Sequence, residues 1–312
     1  MTLPLVIDTD PGIDDALALI LAARAPGSRL LAVSVSYGNT TLDRAARNAR
    51  LVLARAQCHV PVFPGSDRPL VRPLVTAKET HGSEGLGDHD TPPPEPVTPS
   101  VTSIVDALRA AGEPVTLVTL GPLTNLALAL RSDPAFLRSR VRRHVAMGGN
   151  IAAAGNSGGL AEFNVWCDPE AAAEVFAGGL GTELVGLDVT RRLVITAPGV
   201  ERLANHPDSE AQWFGRLLGF YVRFHHHHEG LPGAVINDPL AVALALVPRW
   251  GSAETLHLTV NLAQGAGRGE TTVGLPSDPP VKVYRDVTLA PVHALLLEHL
   301  FGAWLTESDF LP

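Results

Sequence analysis

The chain has 312 residues, of which 46% are apolar and 18% charged, and its formal net charge is −8. A chain of this length and composition can bury one large core, so we expect a single domain over residues 1–312. The acidic balance argues against nucleic acid as a partner, because binding phosphates needs a basic surface. A small, uncharged ligand fits this composition better.

The amino-terminal sequence and the cysteines indicate a cytoplasmic protein without membrane contact. Met1 leads directly into the apolar run Leu3–Ile7 with no basic, signal-like segment, and no run of about eighteen apolar residues occurs. Cys58 and Cys167 are far apart and belong to no Cys/His cluster. We therefore predict neither a disulfide framework nor a zinc finger.

Short apolar runs bounded by Gly, Pro or Asp alternate with segments of helical periodicity. Five runs are predicted to be buried strands: Leu3–Ile7, Leu30–Val35, Val115–Leu120, Val141–Met147 and Glu183–Leu187. This alternation predicts an α/β fold with an open, mostly parallel central sheet flanked by helices and a Rossmann-like core.

Further segments have distinct patterns. Residues Thr80–Ser100 are rich in Gly and Pro and predict a long irregular loop, of the kind that often forms a lid. Ala211–His228 predicts a helix that ends in four consecutive His, and Pro239–Val247 is apolar on all sides, as in a buried helix. Alternating strands are predicted between Leu256 and Tyr284, before a closing helix near Val292–Leu300.

Four carboxylates fall within eight residues where the first strand gives way to the first helix. These are Asp8, Asp10, Asp14 and Asp15. Their mutual repulsion is costly unless a cation or a helix dipole offsets it, and hard cations prefer oxygen ligands. Helix capping would explain one of these residues but not three, so the pattern predicts a metal site.

Two later segments carry polar groups suited to the same site. Asp238 stands between Asn237 and Pro239 at the start of the buried helix, although taken alone it would be a helix cap. Glu162 and Asn164 follow a glycine-rich loop, and their carboxylate and amide can bind several hydroxyls, as in a sugar. Asp168, by contrast, is predicted to be a plain helix cap.

The order of these motifs resembles the inosine–uridine nucleoside hydrolase family across nearly the whole chain. The resemblance rests on Asp8–Ala16, Gly38-Asn39, His81-Gly82, Gly121–Asn125, Met147–Gly149, Ala161–Asn164 and Asn237–Pro239. It implies a nucleoside hydrolase-like fold, a calcium ion, and hydrolysis of the N-glycosidic bond of ribonucleosides to ribose and free base. It also implies a homo-oligomer, either a dimer or a tetramer.

The resemblance assigns roles to individual residues. Asp10, Asp15, Asp238 and the carbonyl of Leu120 are implied to be calcium ligands, and Asp10 the general base that activates a calcium-bound water. The substrate-binding residues that it implies are Asp14, Asn39, Met147, Asn156, Glu162, Phe163 and Asn164.

The sequence departs from the family pattern at the residue that would assist the leaving base. Many members carry His before the final Asp-Pro, whereas this chain has Asn237, whose amide cannot transfer a proton at neutral pH. His81 and His225, the first of the run His225–His228, are the alternative candidates for this role.

Two other functions remain open at this point. Asp8-Thr9-Asp10 after an apolar strand looks like the nucleophile motif of haloacid-dehalogenase phosphatases, but Gly12 and the scarcity of Lys count against it. The loss of His at Asn237 would also fit a nucleoside-binding protein without turnover.

Overall fold

Within residues 2–311, which the computed structural model describes, the chain forms a large sheet with helices on both faces. The strands are β1 (Leu3–Thr9), β2 (Ser28–Val35), β3 (Val62–Pro64), β4 (Val115–Thr119), β5 (Val141–Met147), β6 (Glu183–Val185), β7 (Val194–Thr196), β8 (Gly233–Val235), β9 (Gly251–Val260), β10 (Thr271–Val273) and β11 (Pro280–Val287).

The helices connect and cover these strands. They are α1 (Ile13–Arg24), α2 (Leu42–Arg55), α3 (Lys78–His81), α4 (Ser103–Ala111), α5 (Thr124–Ser132), α6 (Pro134–Arg140), α7 (Phe163–Cys167), α8 (Pro169–Ala177), α9 (Leu187–Thr190), α10 (Ala197–Ala204), α11 (Ser209–Phe224), α12 (Asn237–Leu246) and α13 (Leu289–Leu296). None of the helices between residues 2 and 311 combines the length and hydropathy needed to cross a bilayer.

The main sheet has the strand order β10-β9-β11-β6-β5-β4-β1-β2-β3. Every pair from β11 to β3 is parallel, whereas β9 and β10 add antiparallel pairs at one edge. A small antiparallel sheet pairs β7 with β8. The predicted α/β class with a mostly parallel central sheet is confirmed.

The strand order reverses between β1 and β4. From β1 the chain proceeds outward to β2 and β3, and it then returns to β4 on the other side of β1. In open α/β sheets, ligands bind in the crevice at such a reversal, beyond the carboxyl ends of the strands. The acidic turn that follows β1 lies at this point.

Alternation along β1 divides the core between the two faces of the sheet. Leu5 and Ile7 pack in one apolar cluster with α1, α11 and α12, while Val6 packs in a second cluster with α4, α5 and α8. All three side chains are fully buried, as expected for a parallel strand covered on both faces. The apolar helix α12 is buried from Asp238 to Ala245, as its composition predicts.

Several predicted boundaries shift. The helix expected to reach His228 ends as an α-helix at Phe224, and a π-helical turn continues over His225–Glu229. Thr80 and His81, predicted to lie in an irregular loop, form the end of the one-turn helix α3. Residues 82–100 are irregular as predicted.

The loop after α3 is fastened to α2. The Glu84 carboxylate accepts from Arg47 Nη1 at 2.7 Å and pairs with Arg44, and the Glu84 carbonyl accepts from Asn48 Nδ2 at 2.8 Å. Ion pairs and a buried amide thus attach this loop to α2. His81 directly precedes the loop.

Candidate active site

The acidic turn joins β1 to α1 and carries Asp10, Asp14 and Asp15, all buried. Asp14 and Asp15 occupy the first turn of α1, where the helix dipole favours negative charge. Asp8 belongs to β1 itself, and its Oδ1 accepts from Asn125 Nδ2 at 2.8 Å. Burial raises the pKa of Asp8 to about 6.

Asp10 and Asp15 are fixed by the loop after β2. The backbone N–H of Asn39 donates to Asp10 Oδ2 at 2.6 Å, and the Asn39 amide donates to Asp15 Oδ2 at 2.8 Å. Asp15 also accepts from the Gly12 N–H at 3.0 Å and from the Thr9 hydroxyl. In contrast, the buried Asp10 Oδ1 has no hydrogen-bond partner among the described residues.

Two glycines make room for Asp10. A Cβ on Gly38 would lie 2.0 Å from Asp10 Oδ2, and one on Gly121 would lie 2.4 Å from Asp10 Oδ1. Gly38 also has a φ of +153°, where side chains are disfavoured. The turns after β2 and β4 therefore close on this carboxylate from two sides.

Asp14 is held from the opposite side of the crevice. Tyr221 of α11 donates its hydroxyl to Asp14 Oδ1 at 2.7 Å. Asn237 donates to Asp14 Oδ2 through its backbone N–H at 3.1 Å and through its amide Nδ2 at 3.2 Å. Both carboxylate oxygens of Asp14 are thus engaged, and the Asn237 amide faces a carboxylate that only accepts.

The carboxylates converge on a position suited to a cation. Oxygens of Asp14, Asp15 and Asp238 lie within 4.8 Å of one another. Burial, together with the neighbouring carboxylates, raises the pKa of Asp10 and Asp238 well above the usual value and that of Asp15 to about 6. Such a buried acidic cluster can bind a metal ion, and the oxygen donors suit a hard cation.

The residues brought together differ in part from the implied calcium ligands. Asp15 and Asp238 belong to both sets, whereas the group of converging oxygens includes Asp14 in place of Asp10. The Leu120 carbonyl, also implied as a ligand, accepts from Asn164 Nδ2 at 2.7 Å.

A pocket with a cavity volume of about 80 Å³ opens above this cluster. It contains most of the residues implied by the resemblance. Its lining comprises Asp14, Asn39, Ala77, Thr80, His81, Leu120, Met147, Asn156, Ser157, Glu162, Phe163, Asn164, Tyr221, Phe224, His225, Glu229, Asn237 and Asp238.

Glu162 caps α7 on the wall of this pocket. Its carboxylate accepts from the backbone N–H groups of Asn164, Gly149 and Val165 at 2.8 to 3.1 Å. Burial nevertheless raises the pKa of Glu162 to about 7. These bonds fix the glycine turn after β5 and the start of α7, so that Asn164 reaches the end of β4.

Two buried histidines face the pocket as neutral rings. His81 Nδ1 accepts from the Ile13 N–H at 3.0 Å, and His225 Nδ1 accepts from the Val235 N–H at 3.3 Å. Burial lowers the pKa of each to about 4. The proton of each ring therefore lies on Nε2, and each presents a hydrogen-bond donor rather than a positive charge.

The other three histidines of the run do not line this pocket. His225 is buried, whereas His226, His227 and His228 are exposed. This arrangement agrees with the expectation that adjacent His on one helix point in different directions.

Tyr221 is the main site residue that sequence analysis missed. It lies four residues before His225 on the same helix face, and the two rings are 4.6 Å apart. That i, i+4 spacing next to a candidate His was the available indication. Asp168 does cap α8 as predicted, by accepting from Ala171 N–H, and it also accepts from the Thr124 hydroxyl.

Comparison with known proteins agrees with this geometry. The family model described as inosine-uridine preferring nucleoside hydrolase matches residues 5–293. Among curated relatives, the pyrimidine-specific ribonucleoside hydrolase RihA of Enterobacter sp. (strain 638) is 40% identical over 82% of this chain and 85% of its own length. The protein of the same name from Shewanella oneidensis is 37% identical over 88% and 87%.

Solved structures give the same result. A plant nucleoside hydrolase superimposes with a TM-score of 0.87 at 29% identity, covering 97% of this chain and 100% of its own. A purine-preferring ribonucleoside hydrolase from Gardnerella vaginalis gives 0.85 at 25%, covering 96% and 99%. The phosphatase alternative is therefore wrong. The chain belongs to the inosine-uridine preferring nucleoside hydrolase family and is an N-glycosyl hydrolase of ribonucleosides.

Proposed function

We propose that the chain cleaves the N-glycosidic bond with Ca²⁺ in the acidic cluster and with Asp10 as general base. The proposal rests mainly on Asp10 Oδ1, a buried carboxylate oxygen that has no hydrogen-bond partner within residues 2–311 and whose charged neighbours include Asp14 and Asp15 of the acidic cluster. Asp10, Asp15, Asp238 and the Leu120 carbonyl are the groups that would hold the ion.

When bound, calcium would lower the pKa of a water molecule and fix the ribose 2′- and 3′-hydroxyls. Asp10 takes the proton from the attacking water. Its Oδ2 is occupied by the Asn39 N–H at 2.6 Å, so the accepting atom is Oδ1. Water attacks C1′ as the C1′–N bond breaks, and the bonding electrons leave with the base.

The ribose lies between the acidic cluster and the α7 wall. We assign its polar contacts to Asp14, Asn39, Asn156, Glu162 and Asn164, all of which line the pocket. Met147 and Phe163 supply apolar contacts to the same ring. The positive charge that develops on the sugar is stabilised by the surrounding carboxylates.

Departure of the base depends on hydrogen-bond donors. Asn237 directs its N–H groups at Asp14, so we assign it to positioning that carboxylate. His81 Nε2 lies 3.5 Å from the Tyr221 hydroxyl, a long contact that leaves this N–H able to donate to a ligand. We assign His81 as the donor that stabilises negative charge on the leaving base, and His225 as a neutral donor on the base-binding side.

Both curated relatives quoted above are named pyrimidine-specific, so we propose a preference for pyrimidine ribonucleosides. The cytoplasmic location and the dimeric or tetrameric state stay predictions. Size-exclusion chromatography with light scattering tests the second.

The proposed mechanism is tested by release of reducing sugar from uridine, cytidine, inosine and adenosine. Wild type is compared with Asp10→Ala and with the exposed-site control Asp286→Ala, each with and without a calcium chelator. We expect wild type and the control to release ribose, and both Asp10→Ala and chelation to abolish release. Full activity after chelation would contradict the metal assignment.

Wild type could also fail to release ribose from any of the four nucleosides. Tight nucleoside binding by calorimetry without ribose release would support the binding-protein alternative. Faster cleavage of inosine and adenosine than of uridine and cytidine would overturn the pyrimidine preference alone.

A further inference from the structure

The active-site pocket is bordered by two irregular segments that come from distant parts of the chain. Residues 150–160, between β5 and α7, supply Asn156, and the π-helical turn His225–Glu229 supplies His225 and Glu229. Within residues 2–311, no backbone hydrogen bond joins the two segments. Their relative position therefore depends on side chains that contact both.

Asp188 of the one-turn helix α9 holds the first of these segments. Its Oδ2 accepts from the backbone N–H of Ile151 at 2.7 Å. Its Oδ1 accepts from the N–H groups of Ala152 at 2.8 Å and Ala153 at 3.3 Å. The Asp188 side chain is 9% exposed, and hydrogen bonds to a charged group are stronger than those between neutral groups. These three bonds therefore fix the turn at residues 151–153 against α9.

The position of this turn also determines where Asn156 lies. Asn150 Nδ2 donates to the carbonyls of Ala153 at 2.8 Å and Leu160 at 3.1 Å. The Asn156 N–H donates to the carbonyl of Ala161 at 3.0 Å. Because these bonds connect the two ends of the loop, a displacement of the turn would move Asn156 as well.

Arg191, which directly follows α9, contacts both segments. Its Nη1 donates to the Ala154 carbonyl at 2.9 Å, and its Nη2 donates to Glu229 Oε2 at 3.2 Å. The side chains of Arg191 and Glu229 are only 26% and 22% exposed, so this ion pair is less screened by water than one at the open surface. Arg191 itself does not line the active-site pocket described above.

We propose that Arg191 is a positioning residue for nucleoside binding, which holds residues 151–154 and Glu229 at a fixed separation. This inference rests on the proposed function, in which Asn156 contacts the ribose and His225 lies on the base-binding side. With Arg191 in place, the groups that contact the two halves of the nucleoside keep the spacing that binding requires. Without it, the segments separate more easily, and the binding-competent arrangement is less populated.

The test compares the steady-state kinetics of Arg191→Ala and Arg192→Ala with the best of the four nucleosides. Arg192 is the matched control, because it is the next residue in the chain and pairs with Asp286 rather than with either segment. We expect Arg191→Ala to raise KM about tenfold with kcat within about twofold of wild type, because it organises contacts that form on binding. Arg192→Ala should match wild type.

Two further variants distinguish positioning from a general effect on folding. Arg191→Lys keeps the charge and one donor group, so it should recover part of the KM. Glu229→Ala should raise KM in wild type but by less than about twofold in the Arg191→Ala background, since the two residues act through one contact. An unchanged KM in Arg191→Ala with a lower Tm, or independent effects of the two alanine substitutions, would overturn the proposal.

A binding measurement separates this inference from the proposed function. Asp10→Asn keeps the shape of the side chain but is a poor base, so in this background Kd for the same nucleoside is measured by calorimetry with calcium after adding Asn156→Ala or Arg191→Ala. If Asn156→Ala leaves Kd unchanged and Arg191→Ala raises it, the ribose assignment of the proposed function fails and the positioning role stands. If only Asn156→Ala raises Kd, the positioning role alone is overturned.

Discussion

Asp14 shows what Asn237 does in this chain. Three donors from two distant segments reach its carboxylate, namely the Tyr221 hydroxyl and the two N–H groups of Asn237. Hydrogen bonds to a charged group are stronger than those between neutral groups. Asn237 therefore holds a carboxylate in place, which is why we propose the neutral histidines as the donors to the leaving base.

Tyr221→Phe tests this clamp. The change removes the donor to Asp14 Oδ1 and keeps the ring, so we expect kcat/KM for the best nucleoside to fall about 10- to 100-fold, mostly through KM. Tyr284→Phe is the matched control, because Tyr284 is equally buried but donates to Glu183 far along the sheet. Equal losses in the two variants would show that Tyr221 has no specific role.

At the scale of elements, the site is assembled from the ends of parallel strands. The turns after β1, β2 and β4 supply Asp10, Asn39 and Leu120, and the last residue of β5 is Met147. Opposite them, α12 begins with Asn237. The position of Asp10 thus depends on how closely the neighbouring turns approach.

Gly121→Ala tests that dependence. A Cβ there would lie 2.4 Å from Asp10 Oδ1, so the carboxylate must move. A displacement of about 1 Å costs about 100-fold in rate, and we expect a loss of kcat of that size. Calcium should also raise the Tm less than in wild type.

Gly27→Ala is the control for this change, because a Cβ on Gly27 meets nothing within 4 Å. Wild-type activity in Gly121→Ala would show that Asp10 tolerates displacement and would contradict its role as base.

Features that depend on the local spacing of residues were predicted from the sequence. The acidic turn between β1 and α1 and the buried helix α12 are visible in the spacing of apolar and acidic residues, and both occur in the structure. The sequence did not reveal contacts between residues that are far apart along the chain. Tyr221 and Asp14 are 207 residues apart, and neither residue type at its position indicates the other.

At the scale of the whole molecule, buried titratable groups oppose each other as the pH falls. Burial raises the pKa of Asp8 to about 6 and of Glu162 to about 7, so their protonation in acid favours the folded state. Burial lowers the pKa of His81 and His225 to about 4, so acid favours the unfolded chain at these residues. A single substitution is needed to measure how much one of these groups contributes to the pH dependence of the free energy of unfolding.

His144 offers that substitution, because it is fully buried away from the pocket. Its ring lies between the hydroxyls of Thr119 and Thr182, each at 3.0 Å, and burial lowers its pKa from 6.5 to about 3. Below pH 6.5, His144 is protonated in the unfolded chain but stays neutral in the folded chain. The stabilisation is thus complete above pH 6.5 and is lost progressively as the pH falls toward 3.

His144→Gln keeps a donor and an acceptor for both threonines but does not titrate. Between pH 7.5 and 5, the free energy of unfolding of wild type should fall by about 2 kcal/mol more than that of the variant, measured by urea denaturation without calcium. His59→Gln, at an exposed position, should follow wild type. Parallel curves for wild type and His144→Gln would mean that His144 is protonated in the folded protein, and the packing of β4 against β5 would then have to accommodate a buried charge.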